Sequence, residues 1–262
     1  MVLSGTMVKS LAIVILAIFV LGIISHSVYA QTEKPKAYGV LIDNTRSLEK
    51  RFDQVKLFSK RVVDQVNTRG PVQLFSFKWT RDAASFVVPN NVERYEGGNY
   101  DRAIATRGVD WTQDASVLTR YIQELDLVKG QTDLFGAIRS VAESLNDDQA
   151  TSKHATSEKV IVLITDGDHR MEMIGTLQPT ETDDERRKRD SKLRKYLKDS
   201  GIKVYAIGIT GDLDTGSIMG SSPRLRAENY LSKVTKETGG KVVFSRSKQA
   251  EIDKLVSELL GP

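Results

Sequence analysis

The stretch that decides the fold is Val40-Leu41-Ile42-Asp43-Asn44-Thr45-Arg46-Ser47. An apolar run ends here abruptly in a carboxylate, an amide and two hydroxyl-bearing side chains. An unbroken apolar run of this kind predicts a strand that is buried on both faces, as in a parallel sheet. Oxygen-bearing side chains in the turn just after such a strand lie at the carboxyl edge of the sheet, where open α/β sheets bind their ligands. This turn is therefore the candidate site.

Strand and helix patterns alternate along the rest of the chain. The strongest strand pattern, Lys159–Ile164, again leads into oxygen-bearing residues, Thr165 and Asp166. Apolar residues at helical spacing follow most of the predicted strands. The alternation predicts an α/β fold in one domain: a three-layer, doubly wound, mostly parallel sheet flanked by helices, which is Rossmann-like. The predicted strands cover residues 37–42, 72–77, 84–88, 159–164, 202–209 and 241–244.

Two segments interrupt this alternation. Residues 89–110 are rich in Asn, Gly and Arg and show no sustained period, which predicts a long surface excursion. Such excursions are often functional, and a disordered insertion is the alternative. Residues 146–158 are polar and predict a second loop.

The first thirty residues differ from the remainder. Lys9 is their only Lys, Arg, Asp or Glu, the run 11–24 is apolar, and Val28 and Ala30 satisfy the small-residue rule for cleavage before Gln31. We therefore predict a signal peptide over residues 1–30, a short linker over 31–36 and the folded domain over 37–262. The predicted location is secreted or periplasmic, with no stable membrane span after cleavage. The alternative is an uncleaved N-terminal anchor helix, although the apolar run is short for a bilayer.

Composition excludes several kinds of chemistry. The chain has no Cys, which rules out disulfides, zinc-thiolate sites and Cys nucleophiles. Its formal net charge of +4 is mild and is not accompanied by a clustered basic patch, so nucleic acid is not a predicted partner. The basic run at residues 186–189 is preceded by acidic residues, which favours a solvated helix face.

Three predicted turns could meet at the carboxyl edge of the sheet. The first offers a carboxylate and two hydroxyls spaced by two, the second a hydroxyl just before a helix, and the third a carboxylate followed by glycine. Each residue alone is typical of an ordinary helix or turn cap. Together they form a set of hard oxygen ligands without His, which suits Mg²⁺ or Mn²⁺ better than zinc. The candidate ligands are Asp43, Thr45, Ser47, Thr132 and Asp166.

These residues carry a family resemblance. Asp43-Asn44-Thr45-Arg46-Ser47 resembles the Asp-x-Ser-x-Ser signature of the von Willebrand factor type A domain, with Thr in place of the middle Ser. Gly130-Gln131-Thr132-Asp133-Leu134 is similar to the threonine loop of that family, and Thr165-Asp166-Gly167 to its distal aspartate loop. The order and separation of the motifs match over residues 36–262. Glu237-Thr238-Gly239-Gly240 resembles secreted bacterial members.

The resemblance implies a metal-ion-dependent adhesion site, with Mg²⁺, Mn²⁺ or Ca²⁺ as the cofactor. In such a site the hydroxyls of Thr45 and Ser47 bind the cation directly, and that of Thr132 binds it directly or through water. Asp43 and Asp166 act largely through water. A protein partner then completes the coordination with an acidic side chain, and the domain is not an enzyme. The extra methyl of Thr45 restricts its rotamers, which puts the affinity for the metal in question.

Two other functions are compatible with the same residues. One is a metal-dependent phosphohydrolase, although phosphatases of the haloacid dehalogenase type need a second Asp where Thr45 stands. The other is a structural module with a vestigial metal site. Asp168 is expected at the rim of the site, and His169 has no evident acidic partner in the sequence. The sequence does not indicate an oligomeric state.

Overall fold

The structure, a computed structural model, describes residues 35–80, 102–129, 131–151, 157–169, 182–211, 213, 222–247 and 252–261. These residues belong to one compact unit, Pro35–Pro262. The predicted signal peptide, most of the linker and the predicted strand at 84–88 lie outside the described residues. No helix in the described ranges is long and apolar enough to cross a membrane.

The described residues contain one seven-stranded sheet, in the order β4-β3-β2-β1-β5-β6-β7. β1 lies at its centre and pairs in parallel with β2 and β5, and β6 and β7 continue the parallel pairing. β3 runs antiparallel to β2, so the sheet is mostly parallel, as predicted. The strands are β1 Lys36–Ile42, β2 Val72–Thr80, β3 Arg102–Thr112, β4 Gln131–Thr132, β5 Glu158–Thr165, β6 Lys203–Gly208 and β7 Val242–Phe244.

Helices cover both faces of this sheet, which confirms the three-layer α/β fold. Alternate residues of β1 face opposite sides: Val40 packs in one apolar cluster with Phe58, and Leu41 in a second cluster with Ile138. Within the described chain, the helices are a 3₁₀ helix Arg46–Arg51 and then α1 Phe52–Val66, α2 Ala115–Glu124, α3 Leu134–Thr151, α4 Asp183–Asp199, α5 Pro223–Thr238 and α6 Ile252–Leu260.

The predicted excursion over residues 89–110 is wrong from Arg102 onward, because Arg102–Thr112 forms β3. The pairing of β2 with β3 shifts register on both sides of Leu74. Such bulges break the two-residue period of a strand. Val109 and Trp111 are two residues apart, yet they pack against opposite apolar clusters. A search for strict alternation therefore misses this strand.

The end of α3 also differs from the prediction. Residues 146–151 continue α3 instead of forming a loop. Asn146 donates hydrogen bonds to the Tyr196 hydroxyl (2.6 Å) and the Ser200 hydroxyl (3.2 Å), so a contact with α4 and its C-terminus holds this polar turn. Thr182 and Glu185 form a capping box at the start of α4, in which the side chain of each residue accepts a hydrogen bond from the backbone N–H of the other.

Candidate metal centre

Asp43 directly follows β1 and is completely buried. Its backbone N–H donates to the carbonyl of Ile164 on β5 (2.8 Å), which fixes the turn to the centre of the sheet. Its Oδ1 accepts hydrogen bonds from the Thr45 N–H (3.0 Å) and hydroxyl (2.7 Å). Its Oδ2 accepts one from the Thr165 hydroxyl (2.7 Å). Neighbouring donors therefore hold both carboxylate oxygens in a defined orientation.

Asp166 follows β5 and is also buried, with 2% of its surface exposed. Its Oδ1 accepts a hydrogen bond from the Asp168 N–H (2.9 Å), and the Ser47 hydroxyl lies beside its carboxylate. The hydroxyls of Ser47 and Thr45 are 3.2 Å apart. A continuous chain of polar contacts thus joins four of the predicted ligands: Asp43, Thr45, Ser47 and Asp166.

The two carboxylates are in an environment that resists negative charge. Burial raises the pKa of Asp43, while hydrogen bonds from Thr45 and Thr165 oppose the rise. Burial raises the pKa of Asp166 still more strongly, and the nearby charges of Asp43 and Asp168 add to it. Either a proton or a cation relieves this cost.

Thr132 lies at the end of β4, just before α3, and is 6% exposed. The segment that precedes it is tied to the first turn: Arg46 N–H donates to the Val128 carbonyl (3.0 Å), and Val128 N–H donates to the Asn44 carbonyl (2.8 Å). Within the described residues, no hydrogen bond joins Thr132 to the other four predicted ligands. Its binding to a cation stays a prediction.

The residues present fit a hard divalent cation. The Oδ2 atom of Asp166 is buried and has no hydrogen-bond partner in the described structure. Buried polar atoms in folded proteins are nearly always paired, so this oxygen indicates a missing partner. No group of three or more His, Asp and Glu side chains in the described ranges is arranged to hold a metal. Hydroxyls would therefore supply part of the coordination, as Mg²⁺ accepts.

Asn44 lies between Asp43 and Thr45 in the first turn and is not one of the predicted ligands, but its side chain has a structural role. Its side-chain NH₂ donates to the carbonyls of Phe77 (3.2 Å) and Asp126 (2.7 Å), and its Oδ1 accepts from the Phe77 N–H (2.8 Å). Asn44 therefore locks the first turn to the end of β2 and to the segment leading toward Thr132. The sequence signal for this structural role was an amide side chain close to the end of an apolar run.

The structure corrects two further predictions. Arg189 does not lie on a solvated face: its side chain is 13% exposed and contacts both carboxylate oxygens of Asp133. Arg187, two residues earlier on the same helix, is exposed as predicted. His169 has an acidic neighbour after all, because its Nδ1 lies 3.9 Å from Asp133 Oδ1. These partners are far apart in sequence, so spacing could not reveal them.

The fold and this site define a class of protein: an α/β domain that gathers buried carboxylates and hydroxyls at the carboxyl edge of a mostly parallel sheet. The family model for the von Willebrand factor type A domain matches residues 39–257, and the chain belongs to that family. A search of curated proteins finds no match.

Several solved structures share the fold. One is an aerotolerance-related membrane protein from Bacteroides fragilis NCTC 9343, with 17% identity and a TM-score of 0.54 over 86% of this chain and 96% of that one. The pilus adhesin SpaC from Lactobacillus rhamnosus GG has 17% identity and a TM-score of 0.54 over 87% of this chain and 31% of its own. The PilB minor pilin from Streptococcus sanguinis has 15% identity and a TM-score of 0.54, over 87% and 61%.

Proposed function

We propose that the chain binds a protein partner through a divalent cation, Mg²⁺ by preference, and that it does so outside the cytoplasm. The observation that carries this proposal is the buried, unpartnered Oδ2 of Asp166, which belongs to the same polar cluster as Thr45, Ser47 and the second buried carboxylate, Asp43. Membership of the von Willebrand factor type A family supports it.

The predicted ligands would hold the cation in two different ways. The hydroxyls of Thr45, Ser47 and Thr132 would bind it as neutral ligands. Asp43 and Asp166 would balance its charge. A bound cation supplies a Lewis acid with few direct carboxylates, so an acidic side chain of the partner is an effective further ligand.

The surface around the first turn favours such a partner. Ser47 is exposed, so the site opens to solvent on that side. The side chain of Arg46 is 67% exposed and makes one long contact, 3.6 Å, with Glu49. Lys129 is also exposed. Positive charge near the cation raises the rate of encounter with acidic partners and helps to select them.

The location and adhesive role are part of the proposal. The predicted signal peptide supports export, and SpaC and PilB are described as a pilus adhesin and a minor pilin. Their identities to this chain are low and SpaC is about three times as long, so they support the fold directly and the role only as an expectation.

Calorimetric titration of the full chain with Mg²⁺ and Mn²⁺ tests the cation site. We expect binding by the wild type and a loss of at least about tenfold in affinity in Ser47→Ala, the range typical of losses at metal sites. Ser232→Ala is the matched control, because Ser232 is an exposed serine on α5. Wild-type affinity in Ser47→Ala would refute the proposal.

Capture of envelope proteins on the immobilised chain tests the partner. Binding should require Mg²⁺, should be released by a chelator, and should fail with Ser47→Ala. Capture that is indifferent to both would contradict cation-mediated binding. Hydrolysis of a phosphoester that requires Mg²⁺ and disappears in Asp43→Ala would instead establish the phosphohydrolase alternative.

A further inference from the structure

Asp133 directly follows the proposed ligand Thr132 and stands at the start of α3. It is 6% exposed, and its Oδ1 accepts a hydrogen bond from the Gly136 N–H (3.0 Å). The carboxylate therefore satisfies one of the free N–H groups in the first turn of the helix. Any force that orients the Asp133 side chain also orients the backbone that presents Thr132.

Arg189 on α4 supplies such a force. One guanidinium nitrogen, Nη2, lies 2.9 Å from Asp133 Oδ1 and 3.1 Å from Oδ2. The guanidinium also lies 5.8 Å from the centre of the Phe135 ring. The side chains of Arg189 and Asp133 are only 13% and 8% exposed, so this ion pair is largely withdrawn from water.

The same cluster reaches the turn that contains Asp166. His169, three residues later, stacks on Phe135 with ring centres 4.0 Å apart and planes inclined by 7°. Its Nδ1 is 3.9 Å from Asp133 Oδ1. Asp133 is therefore contacted from α3, from α4 and from the segment after β5, although Asp133 is not itself a proposed ligand.

We infer that Arg189 and Asp133 are positioning residues for the metal centre: their buried ion pair holds the start of α3 so that the Thr132 hydroxyl reaches the cation. This inference rests on the proposed function. A buried ion pair contributes little net stability, because desolvation of both charges offsets their attraction. A buried ion pair can still fix one geometry at the edge of a site, because this effect does not depend on its contribution to net stability.

Gly136 gives independent support for a fixed carboxylate. A Cβ atom at this position would lie 2.6 Å from Asp133 Oδ2 and 2.9 Å from Cγ. Arg189 contacts both oxygens of the carboxylate, so moving the carboxylate aside would loosen the ion pair. Gly136→Ala therefore displaces Asp133 without changing any charge.

The first test compares Arg189→Gln with Arg187→Gln in calorimetric titrations of the full chain with Mg²⁺. Arg187 is the matched control: it lies on the same helix and pairs with Asp184, but both side chains are more than 70% exposed. We expect Arg189→Gln to weaken Mg²⁺ binding about tenfold or more, as substitutions of outer groups at metal sites do. Arg187→Gln should bind as the wild type does.

A double-mutant cycle separates positioning from a general structural role. If Arg189 acts through Thr132, then Arg189→Gln should cost less than about twofold in affinity when it is added to Thr132→Ala, because the ligand that it positions is already gone. A loss that is equally large in both backgrounds would overturn the inference. Circular dichroism confirms that each variant is folded before titration.

Gly136→Ala tests the same geometry if Arg189→Gln does not fold. It should weaken Mg²⁺ binding in the wild-type background and have little further effect with Thr132→Ala. Wild-type affinity in both Arg189→Gln and Gly136→Ala would overturn the inference and leave the proposed function standing. No binding of Mg²⁺ by the wild type would refute the proposed function, and this inference with it.

Discussion

Asp166 should destabilise the metal-free protein while making the cation site possible. Its carboxylate is buried, one oxygen has no hydrogen-bond partner in the described structure, and the negative charges of Asp43 and Asp168 lie nearby. Asp166→Asn keeps an oxygen that can accept the hydrogen bond from the Asp168 N–H but cannot become charged. We therefore expect this substitution to stabilise the protein in a chelator and to remove its response to Mg²⁺.

The magnitude follows from the environment of the carboxylate. The Asn amide leaves a neutral unpaired group in place of a charged one, and the extra cost of burying the charge is on the order of 1–3 kcal/mol. For a domain of 150–250 residues, each kcal/mol moves the melting temperature by about 2–4 °C. Asp166→Asn should thus raise the Tm in a chelator by about 2–12 °C. Mg²⁺ at about 100 times its Kd should stabilise the wild type by about 2.7 kcal/mol, and the variant by almost nothing.

Thermal unfolding followed by circular dichroism measures both effects, in a chelator and in excess Mg²⁺. Asp184→Asn is the control, because Asp184 is 77% exposed and its substitution should leave both values nearly unchanged. The expected result is a change of order: the variant melts above the wild type without metal and no longer gains from Mg²⁺. A variant that melts below the wild type in a chelator, or that retains the full gain from Mg²⁺, would refute the reasoning.

Three further predictions concern the same turns. Thr45→Ser should lose about 1 kcal/mol of stability with the buried methyl but keep its Mg²⁺ affinity in calorimetry, whereas Thr45→Val should lose that affinity. Asn44→Ala should cost at least about 2 kcal/mol in urea unfolding, because the Phe77 N–H and carbonyl are left buried without partners; a smaller cost would show that water replaces the amide. Burial raises the pKa of Asp43 and Asp166 above the 3.8 of an unperturbed aspartate. Above that pH the folded metal-free protein therefore holds more protons than the unfolded chain, and its free energy of unfolding should fall as the pH rises through the raised pKa values. Urea unfolding across this range should show a shallower fall in Asp166→Asn, and an unchanged slope would contradict the assignment.

Local patterns were sufficient to predict the centre of the fold. The apolar runs of β1 and β5 are continuous because both strands are buried on both faces, and this property can be recognised in a short window. The polar residues that follow each run had to meet, since neighbouring parallel strands end at the same edge of the sheet. Their grouping was therefore predictable, whereas their binding of a cation is still a prediction.

Features that depend on tertiary contacts were not predictable in this way. β3 was missed because its bulged pairing with β2 moves Val109 and Trp111 to opposite faces. The roles of Asn44 and Arg189 were missed because their partners lie 33 or more residues away in sequence. A polar side chain has the same local signature whether it is solvated or buried against a distant partner.

α4 carries one buried ion pair, Arg189–Asp133, and one exposed ion pair, Arg187–Asp184. The buried pair affects the negative charge near the proposed cation. Asp43 and Asp166 would together balance the charge of the proposed divalent cation. A third buried carboxylate, Asp133, would add negative charge beside Thr132, but Arg189 neutralises it at 2.9 Å. Arg187 makes an exposed pair that is screened by solvent and has no such effect. If Arg189 were absent, the excess negative charge near the site would oppose the approach of an acidic partner. We therefore expect Arg189→Gln to weaken capture of an acidic partner even at saturating Mg²⁺, where a lower affinity for Mg²⁺ no longer matters. Equal capture of the partner by Arg189→Gln and Arg187→Gln under these conditions would refute this electrostatic role.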